Sequence, residues 1–250
     1  MVNTTLQKLT CGLAFATAIV SAPAQNLISN GNFESGTSGF VSDYSYTDQP
    51  VCDAAMYSVV NYAQQVHPAW TTAPDHTFGN YSGKYFVGNG SDDTTKTVWM
   101  TDAPVHITLA GVAYRFEAYV STLYTVSGGN GPELTFQVGN GGQWTNLGST
   151  YSFPDGAAVG AWNLSYADGV FNAPGDYYIR LLNAQPALGG NDFGLDDLFF
   201  GFTTSSPSYS DGIGTHITPV SIAEAAPEPS TLVPAFLGGL GMLWWLRRRK

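Results

Sequence analysis

The sequence predicts an all-β protein, specifically a β-sandwich, on three observations. Apolar and polar residues alternate over segments such as 114–121 and 177–182, and a period of two is typical of a strand with one buried face. The pair Asn-Gly, which tolerates positive φ in tight turns, occurs four times. Glycines number 29, and charged residues make up only 11% of the chain, a composition that favours short twisted strands and turns over helices.

The N-terminal segment has the features of a secretory signal peptide. Lys8 precedes an apolar run over 11–20, and Ala22 and Ala24 form the small-residue pattern that signal peptidase accepts. We therefore expect export, with cleavage before Gln25.

The charge of the chain excludes some classes of partner. Between Gln25 and Ala226 there are four basic and 18 acidic residues, a formal charge of −14. Such a surface repels nucleic acid and anionic lipid headgroups, and it suits neutral glycans, divalent cations or simple solubility.

Cys52 is the only cysteine of the expected mature chain, so an internal disulfide is excluded. We expect a buried, inert thiol, with an intermolecular bridge as the alternative.

The C-terminal segment predicts one transmembrane helix. Residues 232–246 carry no charge and would span about 22 Å as a helix, somewhat less than the ~30 Å hydrocarbon core. The basic residues 247–250 follow directly and are expected to stay cytoplasmic, which places the preceding chain outside. The alternative is a buried core helix.

A short motif before this apolar segment carries a family resemblance. Pro227, Glu228, Pro229 and Ser230, followed by the apolar segment and the basic tail, resemble the PEP-CTERM sorting signal of Gram-negative bacteria that make exopolysaccharide. The resemblance implies processing by an exosortase near the motif, in addition to signal peptidase. It also implies an intermediate anchored in the inner membrane, followed by release to the cell surface or extracellular matrix.

Two further segments resemble the opening and closing strands of jelly-roll carbohydrate-binding modules of the galactose-binding-like type. They are Asn26–Ser35 (NLISNGNFES) and Phe193–Phe200 (FGLDDLFF). The resemblance implies a jelly-roll-like β-sandwich and association with a glycan. The predicted divisions of the chain are a signal peptide (1–24), the β-sandwich (25–202), a Ser/Thr/Pro/Gly-rich linker (203–226) and the sorting signal (227–250).

The same resemblance implies a structural Ca²⁺ between the first and last strands. Glu34 and Asp196 would supply carboxylate oxygens, with Asp197 and backbone carbonyls of 30–32 completing the six to eight oxygens that Ca²⁺ requires. The alternative is that Glu34 and Asp196 cap strand ends in solvent. Calorimetric titration of wild type and Glu34→Ala with Ca²⁺ separates the two, since absence of both a calcium heat and a stabilisation in wild type would exclude the metal site.

Three aromatic residues are candidates for stacking on a sugar ring. Trp144 follows the turn 141–143, Trp70 lies in a polar loop, and Tyr124 precedes a polar loop at 127–130. The alternative for each of them is an ordinary place in the core.

We expect no enzymatic activity, because the sequence contains no G-x-S-x-G, H-E-x-x-H or P-loop motif. The sequence leaves three functions open: non-catalytic association with exopolysaccharide or another glycan, a structural matrix protein without a ligand, and a polysaccharide hydrolase. A hydrolase would need two suitably separated carboxyl groups.

Overall fold

The computed structural model describes residues 25–124, 130–140, 142–153, 158–210 and 220–222. Within these ranges the chain forms two short 3-10 turns, Ala63–Gln65 and Thr203–Ser205, and one helical turn, Pro207–Ser210. The strands of the described residues are β1 (Phe40–Val41), β2 (Ser45–Tyr46), β3 (Met56–Val60), β4 (Tyr85–Asn89), β5 (Thr97–Thr101), β6 (Val105–Ile107), β7 (Ala113–Tyr124), β8 (Glu133–Gly139), β9 (Trp144–Ser152), β10 (Asn163–Phe171), β11 (Gly175–Asn183), β12 (Asp192–Phe202) and β13 (Val220–Ile222).

The strands form two sheets. The first sheet has the order β1-β5-β11-β8-β9, with β6 also paired to β11, and the second has the order β13-β10-β7-β12-β4-β3-β2. From β7 to β12 the chain passes repeatedly between the two sheets, as in a jelly roll. This architecture confirms the predicted fold class, an all-β, jelly-roll-like β-sandwich.

The N-terminal segment lies beside the last long strand, as the resemblance implied. The N–H of Leu27 donates to the carbonyl of Phe200 at 2.7 Å, and the N–H of Leu198 donates to the carbonyl of Gly31 at 2.8 Å. The side chain of Asn26 also accepts from the N–H of Phe200. These bonds hold the beginning of the domain against β12, although residues 25–35 form bends and turns instead of a regular strand.

Aromatic side chains fill the space between the sheets. Phe33, Phe86, Trp99, Phe116 and Phe200 are buried there, and several of their rings meet edge to face, as between Phe33 and Phe40. Such contacts add to the stabilisation that area burial alone provides.

A second, smaller core cluster lies around Cys52, Trp70 and Tyr85. Cys52 is fully buried, and this burial raises the pKa of its thiol to about 12. A thiol with so high a pKa carries almost no thiolate at neutral pH and is therefore unreactive. The predicted buried, inert thiol is confirmed.

Strand β7 is buried on both faces, which the alternation of its sequence did not predict. Its apolar residues face the core, but Arg115 and Glu117 on the other face are also buried. Nε and Nη2 of Arg115 donate to the two carboxylate oxygens of Asp168 at 2.7 and 2.9 Å. Ser208 covers this side of the strand and contacts both Arg115 and Glu117.

Part of the predicted linker packs against the sandwich. Residues 203–210 lie over β7, and β13 pairs in parallel with β10, with Ile222 only 3% exposed. The signal peptide, Pro227–Ser230 and the apolar segment 232–246 lie outside the described residues. In the part of the chain that the structure covers, no helix has the length and apolarity needed to span a membrane.

Candidate functional site

A polar and aromatic surface lies on the outward face of the first sheet, where β11, β8 and β9 are neighbours. The register places Arg180 opposite Gln137 and Gln137 opposite Asn146. Two residues along β8, Gly139 lies between Tyr178 and Trp144. Because side chains two residues apart in a strand share a face, these two rows form one surface, the Trp144 face, made of Trp144, Asn146, Gln137, Tyr178 and Arg180. Gln137 is the buried member of this set, at 8% exposure.

Trp144 lies across a neighbouring strand and is partly exposed. A methyl group at Gly139 would lie 2.8 Å from Cε3 of the indole, so the glycine leaves the space that the ring occupies. The guanidinium carbon of Arg180 lies 3.8 Å from the ring centroid, a cation–π contact. The ring of Trp144 is therefore partly exposed, and Gly139 and Arg180 hold it in place.

A chain of hydrogen bonds fixes the polar side chains of this face. Nε of Arg180 donates to Oε1 of Gln137 at 2.6 Å, and Nε2 of Gln137 donates to Oδ1 of Asn146 at 2.6 Å. Nη1 of Arg180 donates to the hydroxyl of Thr97 at 3.2 Å. These bonds orient both amides and the guanidinium before any ligand arrives, which lowers the entropy lost on binding.

The other two aromatic candidates lie elsewhere. Trp70 is 2% exposed and stacks on His67, with ring centroids 4.8 Å apart. Its predicted role as an exposed platform is wrong, because the second core cluster covers its ring. Tyr124 is 37% exposed at the end of β7, in the second sheet, and the structure does not bring it together with Trp144.

The predicted metal ligand Asp196 belongs to a cluster of acidic residues beside β12. Asp196 and Asp75 are both fully buried, and they lie close enough for Asp75 to contribute to the raised pKa of Asp196. Oδ1 of Asp196 accepts from the N–H of Asp197, and Oδ2 accepts from the N–H of His76. Burial, followed by the neighbouring charge of Asp197, raises the pKa of Asp196 to about 9. Asp196 is therefore not a solvent-exposed strand cap.

Asp197 faces a cleft of about 650 Å³ that His76 also lines. Its Oδ2 lies 2.7 Å from Nδ1 of His76, and its Oδ1 accepts from the hydroxyl of Thr77 at 2.8 Å. The imidazole of His76 stacks on Tyr119, with ring centroids 3.5 Å apart. Asp197 thus fastens the loop after Asp75 to β12.

The predicted Ca²⁺ ligands have hydrogen-bond partners within the protein. Glu34 accepts the N–H of Lys84 through Oε1 at 2.8 Å, and no group of three or more His, Cys, Asp or Glu side chains among the described residues is arranged to hold a metal ion. Oδ1 of Asp75 is buried and accepts no hydrogen bond from a described residue. The Ca²⁺ site at Glu34, Asp196 and Asp197 stays a prediction, and Asp75 is the acid that the sequence analysis missed.

Comparison with known proteins adds solved structures of low sequence identity. No family model and no curated protein matches the chain. The CBM22-1 xylan-binding domain of Paenibacillus barcinonensis Xyn10C is 14% identical with a TM-score of 0.44, over 73% of this chain and 97% of that one. A family 16 carbohydrate-binding module is 18% identical with a TM-score of 0.42, over 70% and 99%. A cyclase from Fischerella sp. TAU is 10% identical with a TM-score of 0.47, over 70% and 94%. Because these values are low, any function has to be argued from the side chains of the Trp144 face.

Proposed function

We propose that this protein is a non-catalytic glycan-binding module and that the Trp144 face is its binding surface. The observation that carries the proposal is the partly exposed indole of Trp144 beside the hydrogen-bonded chain of Arg180, Gln137 and Asn146. An aromatic ring contacts the apolar face of a sugar, while amide and guanidinium groups bind its hydroxyls.

Binding without catalysis fits the chemistry of this surface. Its polar groups are two amides, a guanidinium and a phenol, whereas glycoside hydrolysis requires two carboxyl groups on either side of the scissile bond. The competing hypothesis is a structural matrix protein without a ligand, in which the same hydrogen bonds would only join neighbouring strands.

The substitution Trp144→Ala tests the proposal directly. We expect it to weaken binding of the full-length chain to its glycan at least tenfold, about 1.4 kcal/mol, because large aromatic side chains dominate the energy of binding surfaces. The measurement is a glycan array to find the ligand, followed by calorimetric titration.

Tyr46→Ala is the matched control, since Tyr46 is an exposed aromatic residue on the other sheet. It is expected to leave affinity unchanged. Equal affinity of wild type and Trp144→Ala for every bound glycan would remove the Trp144 face from the proposal. If the wild-type protein binds no glycan at all, the hypothesis of a structural matrix protein without a ligand replaces the proposed glycan-binding function.

We also propose that the protein is exported and processed at both ends. The support is the sequence itself, namely the leader before Gln25 and the PEP-CTERM-like segment 227–250. Signal peptidase and an exosortase would act in turn, with the apolar segment as a temporary membrane anchor, and the product would reach the cell surface or matrix.

Intact mass and fractionation of the native protein test this second proposal. We expect a chain that begins at Gln25, ends near Pro227 and is recovered outside the inner membrane. Recovery of the unprocessed 250-residue chain from the cytosol would show the proposal to be wrong.

A further inference from the structure

Arg180 is a charged group without a counter-ion on the Trp144 face. Arg115, the other arginine of the described residues, is buried against Asp168, whereas Arg180 has no carboxylate within 4 Å among the residues that the structure describes. Partial burial lowers the pKa of Arg180, and the nearby Asp43 opposes that shift. Asp43 is itself engaged, because its Oδ2 accepts the N–H of Thr97 at 2.8 Å.

The guanidinium of Arg180 has donors left over. Nε binds Gln137, and one N–H of Nη1 binds Thr97. An arginine side chain has five N–H groups, so the second N–H of Nη1 and both of Nη2 have no bond to a described residue. The two existing bonds hold the group in a fixed orientation, and planar arginine forks match the two oxygens of a carboxylate.

We propose that the glycan bound at this face carries a carboxylate, as a uronic acid residue does; this inference rests on the proposed function. The guanidinium carbon lies 3.8 Å from the centroid of the Trp144 ring. A sugar residue in contact with the part of the indole that the guanidinium leaves uncovered would therefore lie beside the free N–H groups. The carboxylate supplies the counter-ion that Arg180 lacks and accepts charge-assisted hydrogen bonds from it.

The acidic character of the whole domain does not oppose this local pairing. The charge of −14 between Gln25 and Ala226 would favour a neutral ligand if all the charges of the domain acted on the ligand together. At physiological ionic strength, however, the Debye length is about 8 Å, so distant exposed acids are largely screened. A direct contact with the half-buried Arg180 is screened much less.

Uronate oligosaccharides and their carboxyl-reduced counterparts are the test ligands. Titrations of the full-length chain use oligomers of galacturonate, glucuronate and mannuronate at about 0.15 M salt. Each titration is run with and without EDTA, because Ca²⁺ can bridge two carboxylates and is also the expected ligand of the predicted metal site. We expect at least one uronate oligomer to bind tenfold or more tightly than its reduced form. Arg180→Gln is expected to bring that ratio close to one, whereas Trp144→Ala weakens binding of both forms.

Lys84→Gln is the matched control, because it removes the same charge from a residue just before β4 in the second sheet. It is expected to keep the preference for the uronate, and loss of the preference in this variant would mean that net charge decides binding. Trp144-dependent binding of neutral oligomers with no preference for uronates would overturn this inference and leave the proposed function standing. Absence of binding to every uronate oligomer would also overturn this inference, whereas the glycan array decides the proposed function separately.

Discussion

Replacement of Arg115 by methionine is expected to lower the free energy of unfolding by about 3–5 kcal/mol, the usual cost of removing one partner of a buried ion pair. Arg115 and Asp168 are 0% and 1% exposed, and two hydrogen bonds of 2.7 and 2.9 Å join them. Methionine fills much of the volume but leaves Asp168 without a cation, with the buried Glu117 nearby. Urea denaturation of wild type and variant measures the difference.

Two variants show whether the uncompensated charge is the cause. Asp168→Leu added to Arg115→Met removes the stranded carboxylate, so we expect the double variant to regain part of the lost stability. Lys84→Met removes a partly exposed cation and should change stability by less than about 0.5 kcal/mol. A double variant as unstable as Arg115→Met would indicate that packing, and not charge, is responsible.

The alternation of apolar and polar residues predicted the longer strands well. The segment 177–182 lies inside β11, and the segment 114–121 lies inside β7. The pattern is reliable there because one face of each strand meets the core between the sheets. It could not show that Arg115 and Glu117 are buried, because the cover over them comes from residues 203–210, far along the chain, whose composition resembles that of a linker.

The candidate site was only partly predictable for a related reason. Trp144 could be identified from the glycine-rich turn before it. Gln137, Asn146 and Arg180 could not, because the register between β8, β9 and β11 brings them beside the indole, and no local pattern encodes that register. For Trp70 the sequence was misleading in the opposite direction. Its polar neighbours in the sequence predicted an exposed ring, but the ring packs in the second core cluster.

The substitution Asp192→Asn is expected to stabilise the protein in mildly alkaline solution and to have little effect in acid. Asp192 is 6% exposed, and its Oδ1 has no hydrogen-bond partner among the described residues. Burial raises the pKa of this carboxyl group to about 7, and the nearby Trp70 offsets only part of the shift. At pH 8 the folded protein therefore holds a buried, poorly solvated carboxylate, which asparagine replaces with a neutral group of the same shape.

The direction of the pH dependence follows from the proton that the folded state retains. An unfolded aspartate has a pKa of about 3.9, so between pH 4 and pH 7 the folded form binds a proton that the unfolded form has released. The contribution of Asp192 to stability is complete below pH 4, declines as the pH rises to about 7 and is lost above it. A shift of roughly three pKa units corresponds to at most about 4 kcal/mol.

Denaturation of wild type and Asp192→Asn from pH 4.5 to pH 8.5 measures this difference. Asp196, whose pKa is also raised, changes the stability of both proteins in the same direction, so its effect largely cancels in the comparison. Asp102→Asn, at an exposed position, is the control for the effect of the substitution itself. An advantage of Asp192→Asn that is the same at both ends of the range would mean that the folded protein carries Asp192 ionised throughout, with a cation or an ordered water beside it.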